Sequence, residues 1–159
     1  MVKVTWYEAV AFCQWLAETT GRPFRLPSEA EWEKAASWDQ NTGQKRIWPW
    51  GDAFDAKRCN TSESEKGDTT TAYAYSPTGD SAFGATDMAG NIWEWTGSVF
   101  KRYPYHSGRE DLTAKGDRVL RGGSFYTSAR LARCTYRRHL VPHSLSGFNG
   151  FRVCVSLGL

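Results

Sequence analysis

The sequence predicts one domain of the α+β class, with two short helices first and short strands later. Both helix-like segments precede residue 40, and all strand-like segments follow residue 90. Separation of helices and strands along a chain is typical of α+β proteins. The length of 159 residues fits one domain. Eight Trp, seven Tyr and eight Phe residues can pin irregular segments, because buried rings supply large contact areas.

The helices are predicted from their start signals. Thr5 and Ser28 each stand three residues before a glutamate, which is the pattern of a capping box. The first helix runs over residues 5–20, and Gly21 is a typical helix stop. The second helix begins after Ser28, and the helical signal ends beyond Trp38.

Residues 39–92 show no sustained periodicity and are rich in Gly, Thr, Ser, Asp and Asn. An irregular stretch of that length needs something besides secondary structure to order it. Buried Trp48 and Trp50, or a bound cation, would serve. Three strands follow, over Asn91–Phe100, Val119–Arg121 and Gly150–Val155.

The charge is unevenly distributed. The net charge is +3, and residues 118–159 contain seven Arg but no Asp, Glu or Lys. Such a basic segment can bind nucleic acid or an acidic surface. Because these arginines are spaced among apolar residues, packing of their stems over aromatic rings is favoured, and we expect no nucleic-acid partner.

No targeting or membrane segment is recognised in the sequence. No stretch reaches the apolar length of about 20 residues that a transmembrane helix needs. The N-terminal sequence MVKVTWYEAVAFCQWL carries Glu8 and reads as folded structure, not as a signal peptide. Display on a surface and a cytoplasmic location in a prokaryote or phage both remain open.

Seven motifs carry a resemblance to a known family. They are VTWYEAVAFCQWL, RLPSEAEWEKAA, WPWGD, RCNTSES, GATDMAGNIWEWT, RVLRGGSF and GFRVC. In this order they resemble the formylglycine-generating enzyme family, also called sulfatase-modifying factors, over nearly the whole chain. The resemblance implies a C-type lectin-like fold with much irregular structure over residues 1–159. Family chains normally begin earlier, so we expect a fragment of a longer parent chain or a shortened domain.

The oxidases of this family use two close cysteines after the RGGS motif and bind copper there. Thiolates hold Cu(I) and are the reactive form of cysteine. Here that segment contains only Cys134, which matches a structural cysteine of the family, while Tyr126, Thr127 and Ala132 stand where the pair would be. The resemblance therefore predicts no catalytic residue, no copper and no enzymatic activity.

Sulfoxide synthases are other relatives, and they need an iron-binding histidine cluster. His106, His139 and His143 are not spaced as such a cluster, and the accessory helical domain is absent. His139 and His143 could bind a metal from one helix face. Pro142 between them opposes a helix.

The four cysteines form no CxxC motif, so a zinc ribbon is unsupported. Free, buried cysteines are one interpretation. The resemblance implies the other, in which Cys13 lies beside Cys154 and leaves Cys59 and Cys134 as the second pair.

A second branch of the fold consists of the variable proteins of diversity-generating retroelements. Their segment between RGGS and GFR is rewritten at adenines and displays a changeable binding surface. Rewritten Asn codons cannot yield Lys, Glu, Gln, Met or Trp, and none of these occurs from Arg118 onward. Residues 124–150 are therefore the candidate ligand-binding segment. Their mixture of aromatic and small polar residues is typical of a binding surface.

The resemblance to this branch assigns two sets of positions. The candidate ligand-binding positions are Tyr126, Thr127, Ser128, Leu131, His139, Leu140, Val141, His143, Ser144, Leu145, Ser146 and Phe148. The framework positions are Arg121, Gly122, Gly123, Arg133, Gly150 and Arg152. We expect Tyr126 and Phe148 to anchor the ligand.

The resemblance also implies structural calcium in the irregular region, where carboxylate and carbonyl oxygens are suitable ligands. A first site would use the side chains of Asp87 and Glu94 with the carbonyls of Gly90 and Ile92. A second would use Asn60 and Thr61. The alternative is that Asp87 caps a turn and Glu94 pairs with an arginine.

Three functional hypotheses follow. The first is a non-catalytic display domain that binds a protein or cell-surface ligand. The second is a sensor or structural module of a larger protein. The third is a family oxidase with altered chemistry. The missing cysteine pair counts against the third hypothesis, and the composition from Arg118 onward favours the first over the second.

Overall fold

A computed structural model of the protein describes residues 2–104 and 108–155. Two α-helices and eight short strands are separated by long irregular segments. In chain order they are α1 (Trp6–Thr20), β1 (Phe24–Arg25), α2 (Glu29–Ser37), β2 (Trp38–Asp39), β3 (Gln44–Lys45), β4 (Trp93–Val99), β5 (Arg118–Arg121), β6 (Arg138–Leu140), β7 (Asn149–Phe151) and β8 (Cys154–Val155). The α+β class predicted from the sequence is confirmed.

A four-stranded sheet forms the centre, in the order β6-β5-β4-β7. Strand β5 is antiparallel to both β4 and β6, whereas β7 runs parallel to β4. Two further antiparallel pairs, β1 with β8 and β2 with β3, lie outside this sheet.

The two helices cover opposite faces of the central sheet. Successive side chains of a strand point to opposite faces, so neighbouring residues of β4 meet different helices. On the α1 face, Trp93, Trp95 and Leu120 pack with Trp6 in one buried cluster. On the α2 face, the Trp32 indole N–H donates to Glu94 Oε2 at 2.7 Å. The α1 face is thus the side of the sheet that packs on α1, and the α2 face is the side that packs on α2.

Both helices begin as predicted. The Thr5 and Ser28 side chains accept from the backbone N–H three residues on, and the glutamates there complete both capping boxes. Gly21 ends α1 in the left-handed conformation, with φ of 66°.

The irregular region is ordered by aromatic packing and backbone bridges. Trp48 is buried, and its ring stacks on Trp50 with centroids 5.9 Å apart. Asn60 bridges to Gly90, where an added Cβ would lie 2.1 Å from the Asn60 carbonyl oxygen. Trp48 is therefore buried as predicted, whereas Trp50 is half-buried and packs against it.

Two strand predictions needed correction. The segment predicted as one strand over 150–155 is divided, since β7 joins the central sheet while β8 pairs with β1. Strand β6 was not predicted, because its three residues show no apolar alternation. Its position was decided by pairing with β5.

All four cysteines are free thiols in the structure. The disulfides implied by the family resemblance are not formed, and the interpretation as small buried groups holds for Cys13, Cys59 and Cys134. Burial raises the pKa of Cys13 to about 11 and the pKa values of Cys59 and Cys134 to about 12. Within the described ranges, no helix is long and apolar enough to cross a membrane.

Candidate functional site

The candidate segment begins at a tight backbone turn. Gly122 and Gly123 have φ values of 96° and 79°, which favour glycine. A Cβ on Gly123 would lie 2.7 Å from the Cβ of Ala132. The glycines therefore let the chain pass directly from β5 into the segment.

Burial separates the candidate positions from the framework. None of the twelve candidate positions is buried. Six are exposed, namely Tyr126, Ser128, His139, Val141, His143 and Leu145, and six are half-buried, namely Thr127, Leu131, Leu140, Ser144, Ser146 and Phe148. The framework residues Arg121, Gly122, Gly123 and Gly150 are buried, while Arg133 and Arg152 are half-buried.

Phe125, Tyr126 and Phe148 form an aromatic platform at the edge of the α1 face. Tyr126 is 73% exposed, yet its ring stacks on Phe148 with centroids 5.4 Å apart and planes 13° apart. Phe125 braces Phe148 in an edge-on contact. Phe148 also packs against the buried cluster of the α1 face. Both predicted anchors therefore lie together, with one broad ring open to solvent.

The backbone around this platform is fixed by distant residues. The Thr127 carbonyl accepts from the Ser62 N–H at 3.0 Å, and the Ala129 N–H donates to the Glu63 carboxylate at 2.8 Å. At the other end, the Phe148 carbonyl accepts from the Trp93 N–H at 2.7 Å. The irregular segment is therefore held in place at both ends.

His139 lies apart from the platform. It projects to the α2 face, where its ring stacks on Phe100 at 3.9 Å and its Nδ1 lies 2.7 Å from Asp117 Oδ2. Leu140, the next residue, packs on the α1 face. The twelve positions therefore do not form one continuous surface, because β6 directs neighbouring residues to opposite faces.

Of the other histidines, His143 is exposed, and His106 lies outside the described residues. Across residues 2–104 and 108–155, no group of three or more His, Cys, Asp or Glu residues is arranged to hold a metal ion.

The α2 face carries a buried charge network that sequence reasoning did not identify. Arg121 is fully buried and donates to Glu33 at 2.5 Å and to the carbonyls of Cys134 and Tyr136, both at 2.7 Å. Arg137 forms a two-pronged ion pair with Glu29. The signal in the sequence was the absence of acidic residues after Asp117, which forces these arginines to find carboxylates elsewhere.

Three of the four residues of the first proposed calcium site, Asp87, Ile92 and Glu94, line a cavity of about 270 Å³. Both Glu94 carboxylate oxygens accept from Arg152, at 2.5 and 2.8 Å. Burial raises the pKa of Asp87 above its usual value. A cation would have to displace the Arg152 guanidinium, so calcium at this site stays a prediction.

At the second proposed site, the oxygens already have protein partners. The Asn60 side-chain oxygen accepts from Ser64 at 3.1 Å, and the Thr61 carbonyl accepts from the same hydroxyl at 2.8 Å. The Asn60 carbonyl accepts from the Asn91 N–H at 2.7 Å. These bonds order the loop without an ion, and a cation there also stays a prediction.

Comparison with known proteins identifies the family. The model of the sulfatase-modifying factor enzyme 1-like domain matches residues 1–157. A hercynine oxygenase of Mycolicibacterium thermoresistibile is 37% identical over 164 residues, covering 94% of this chain and 34% of that protein. The inactive C-alpha-formylglycine-generating enzyme 2 of Bos taurus is 34% identical, covering 99% of this chain and 50% of that protein. The chain thus spans a third to a half of these relatives.

Among solved structures, the Treponema denticola variable protein 1 superposes with a TM-score of 0.78 at 24% identity, covering 96% of this chain and 69% of that one. This likeness confirms the expected C-type lectin-like fold of the formylglycine-generating-enzyme type.

The expectation that the chain is not an enzyme was wrong. Three hercynine oxygenases are 35–37% identical over 94% of the chain, so its relatives include enzymes named for another reaction. The missing cysteine pair argues only against the copper oxidase chemistry. With its motifs, fold and family match in agreement, the chain belongs to the sulfatase-modifying factor enzyme 1-like domain family.

Proposed function

We propose that the chain is a ligand-binding domain that holds a protein or cell-surface ligand on the surface of residues 124–150. Tyr126 and Phe148 of the aromatic platform are the anchors. The proposal includes diversification of this surface, as in the variable proteins whose fold the chain shares.

The observation that carries this proposal is the burial pattern. All twelve candidate positions are solvent-accessible, while the flanking Arg121, Gly122 and Gly123 are buried. Leu131, Leu140 and Phe148 pack against the buried cluster of the α1 face, whereas side chains that do not support the core can change at little cost to folding. The surface can therefore vary while its framework stays constant.

The platform supports binding because it is already ordered. The exposed Tyr126 ring is held by Phe148, so a ligand would not need to immobilise it. Aromatic residues of this kind contribute much of the binding energy at protein interfaces.

Sequencing residues 118–155 in many isolates, or in a grown population, tests the diversification. We expect substitutions confined to the twelve candidate positions, with Arg121 and Arg152 constant. A constant segment, or changes spread over buried positions such as Ala132 and Cys134, would contradict the proposal.

A second candidate function is that the same surface forms part of the substrate site of a longer oxygenase. The similarity to three hercynine oxygenases favours it. Titration of hercynine into the wild-type chain and into Tyr126→Ala tests it. Saturable binding that the substitution abolishes would support this function, and equal behaviour of both proteins would contradict it.

Calcium remains our proposal for a structural ion near Asp87. Thermal melting in excess chelator and in excess calcium tests it, because an ion that binds only the folded state raises the melting temperature. An unchanged melting temperature would exclude a stabilising ion in the described arrangement.

A further inference from the structure

Arg138 differs from its neighbours in the basic segment. Three or more hydrogen bonds to carbonyl or carboxylate oxygens are donated by each of Arg118, Arg121, Arg137 and Arg152. Arg138 is half-buried and has no hydrogen-bond acceptor or ion-pair partner among the residues that the structure describes. Protein oxygens therefore accept hydrogen bonds from the other four guanidinium groups, whereas the Arg138 guanidinium has no such oxygen.

The Arg138 guanidinium is held in place by aromatic contact. Its Cζ lies 5.2 Å from the centroid of the Trp93 ring, and Tyr136 contacts the same indole with centroids 6.0 Å apart. Burial lowers the pKa of Arg138 below its usual value. A cation that is partly desolvated and already oriented gains strongly from an incoming anion.

Two more groups of the α1 face lack partners. Among the residues that the structure describes, the Trp93 indole N–H and both polar atoms of the Asn149 side chain are buried without a hydrogen bond. Asn149 lies opposite Trp93 in the parallel β4–β7 pairing, so both side chains project to the α1 face. Buried polar groups are normally satisfied, and a row of exceptions calls for an explanation.

This row adjoins the aromatic platform. Phe148 precedes Asn149, and its carbonyl accepts from the Trp93 N–H. Phe148 and Tyr136 pack on the same buried cluster that contains Trp93. The unpaired cation on β6 and the aromatic platform next to β7 therefore border the same buried Trp93 from its two sides.

We propose that Arg138 binds the carboxylate of a ligand whose apolar part rests on the aromatic platform. The inference rests on the proposed ligand-binding function and adds the chemical class of the ligand. The planar fork of a guanidinium matches the two oxygens of one carboxylate, and a single cation balances its single charge. No acidic residue follows Asp117, so the segment itself supplies no competing carboxylate.

An NMR titration with 3-phenylpropionate and its neutral analogue 3-phenylpropionamide tests the inference. The Trp93 indole N–H signal, assigned with Trp93→Phe, reports binding next to Arg138. We expect the carboxylate to bind about tenfold more tightly than the amide, which corresponds to one charge-assisted contact. Equal affinities, or no binding of either compound, would overturn the assignment of a carboxylate.

Three variants complete the experiment. Arg138→Met should reduce the preference for the carboxylate to about one, and Arg138→Lys should restore part of it. Arg130→Met removes an exposed arginine of the same segment and should leave the preference unchanged. Thermal melting of each variant separates loss of binding from loss of folding.

The proposed function and this inference can fail separately. If Tyr126→Ala weakens both compounds equally while Arg138→Met has no effect, the aromatic platform binds ligands but Arg138 does not select a carboxylate. If Tyr126→Ala changes neither affinity, the platform is not the binding surface.

Discussion

Two consecutive arginines lie on opposite faces of the central sheet and differ in their partners. On the α2 face, Arg137 forms a two-pronged ion pair with the buried Glu29. On the α1 face, Arg138 stacks on Trp93 without an oxygen partner among the described residues. The two residues differ by one position in sequence, with Arg137 just before β6 and Arg138 its first residue, and their side chains lie on opposite faces.

This difference shows that partners within the domain satisfy the polar groups of the α2 face more completely than those of the α1 face. On the α2 face, the carboxylates of Glu33 and Glu29 meet the Arg121 guanidinium within the domain, and only the Arg121 Nε is left without a partner among the described residues of this network. The α1 face keeps a cation and the Asn149 amide unsatisfied beside exposed aromatic rings. Local departures from otherwise consistent packing are expected at functional sites.

The largest expected effect comes from breaking the α2-face network. Arg121→Met should destabilise the protein by about 3–5 kcal/mol, because it removes one partner of a buried ion pair and leaves carbonyls unpaired. Denaturant unfolding measures this change. Arg138→Met is the matched control on the α1 face and should cost about 1 kcal/mol or less, the size of one cation–π contact. Equal losses for the two variants would remove the contrast between the faces.

Helix caps should affect both faces alike. Thr5→Ala weakens the start of α1 and Ser28→Ala the start of α2, and each should cost about 1 kcal/mol. Thermal or denaturant unfolding of the two variants makes the comparison. A much larger loss for one of them would show that its helix contributes more than cover for its face.

A smaller effect concerns pH. The Arg25 side chain and the cap bonds to Ser28 hold the pKa of Glu31 at about 2. A lowered folded-state pKa gives stability that is present above the unfolded value near 4.5 and is lost as pH falls toward 2. Because both side chains are nearly half exposed, the contribution is about 1 kcal/mol or less. Unfolding at pH 6 and pH 2.5 should therefore differ less in Glu31→Gln than in the wild type.

The smallest effects are expected at the exposed positions of the binding segment. Leu145→Ala and Ser128→Ala should change stability by about 0.5 kcal/mol or less, since neither side chain supports the core. Cys134→Ser is the contrast and should destabilise the protein more. Cys134 is fully buried, and burial of a hydroxyl without a hydrogen bond is unfavourable. Losses at Leu145 as large as at Cys134 would contradict a surface that tolerates diversification.

Part of the site followed from the sequence. None of the twelve candidate positions is buried, although Leu131, Leu140 and Phe148 pack against the core, and the two expected anchors Tyr126 and Phe148 are in contact. The sequence did not reveal that His139 lies on the α2 face, apart from the platform, because a three-residue strand gives too little pattern to show which face each residue occupies. The expectation of no enzymatic activity failed for a different reason: a missing cysteine pair excludes one chemistry, and the fold has relatives with others.

The sequence by itself determined what depends on neighbours a few residues away. Both capping boxes and the stop at Gly21 are local features, so short motifs were sufficient to predict them. Only the tertiary structure decided which arginine meets which carboxylate, because Arg137 and Glu29 lie 108 residues apart in the chain. It also left Arg138 facing Trp93, since the pairing of β6 with β5 selects the face that each side chain occupies.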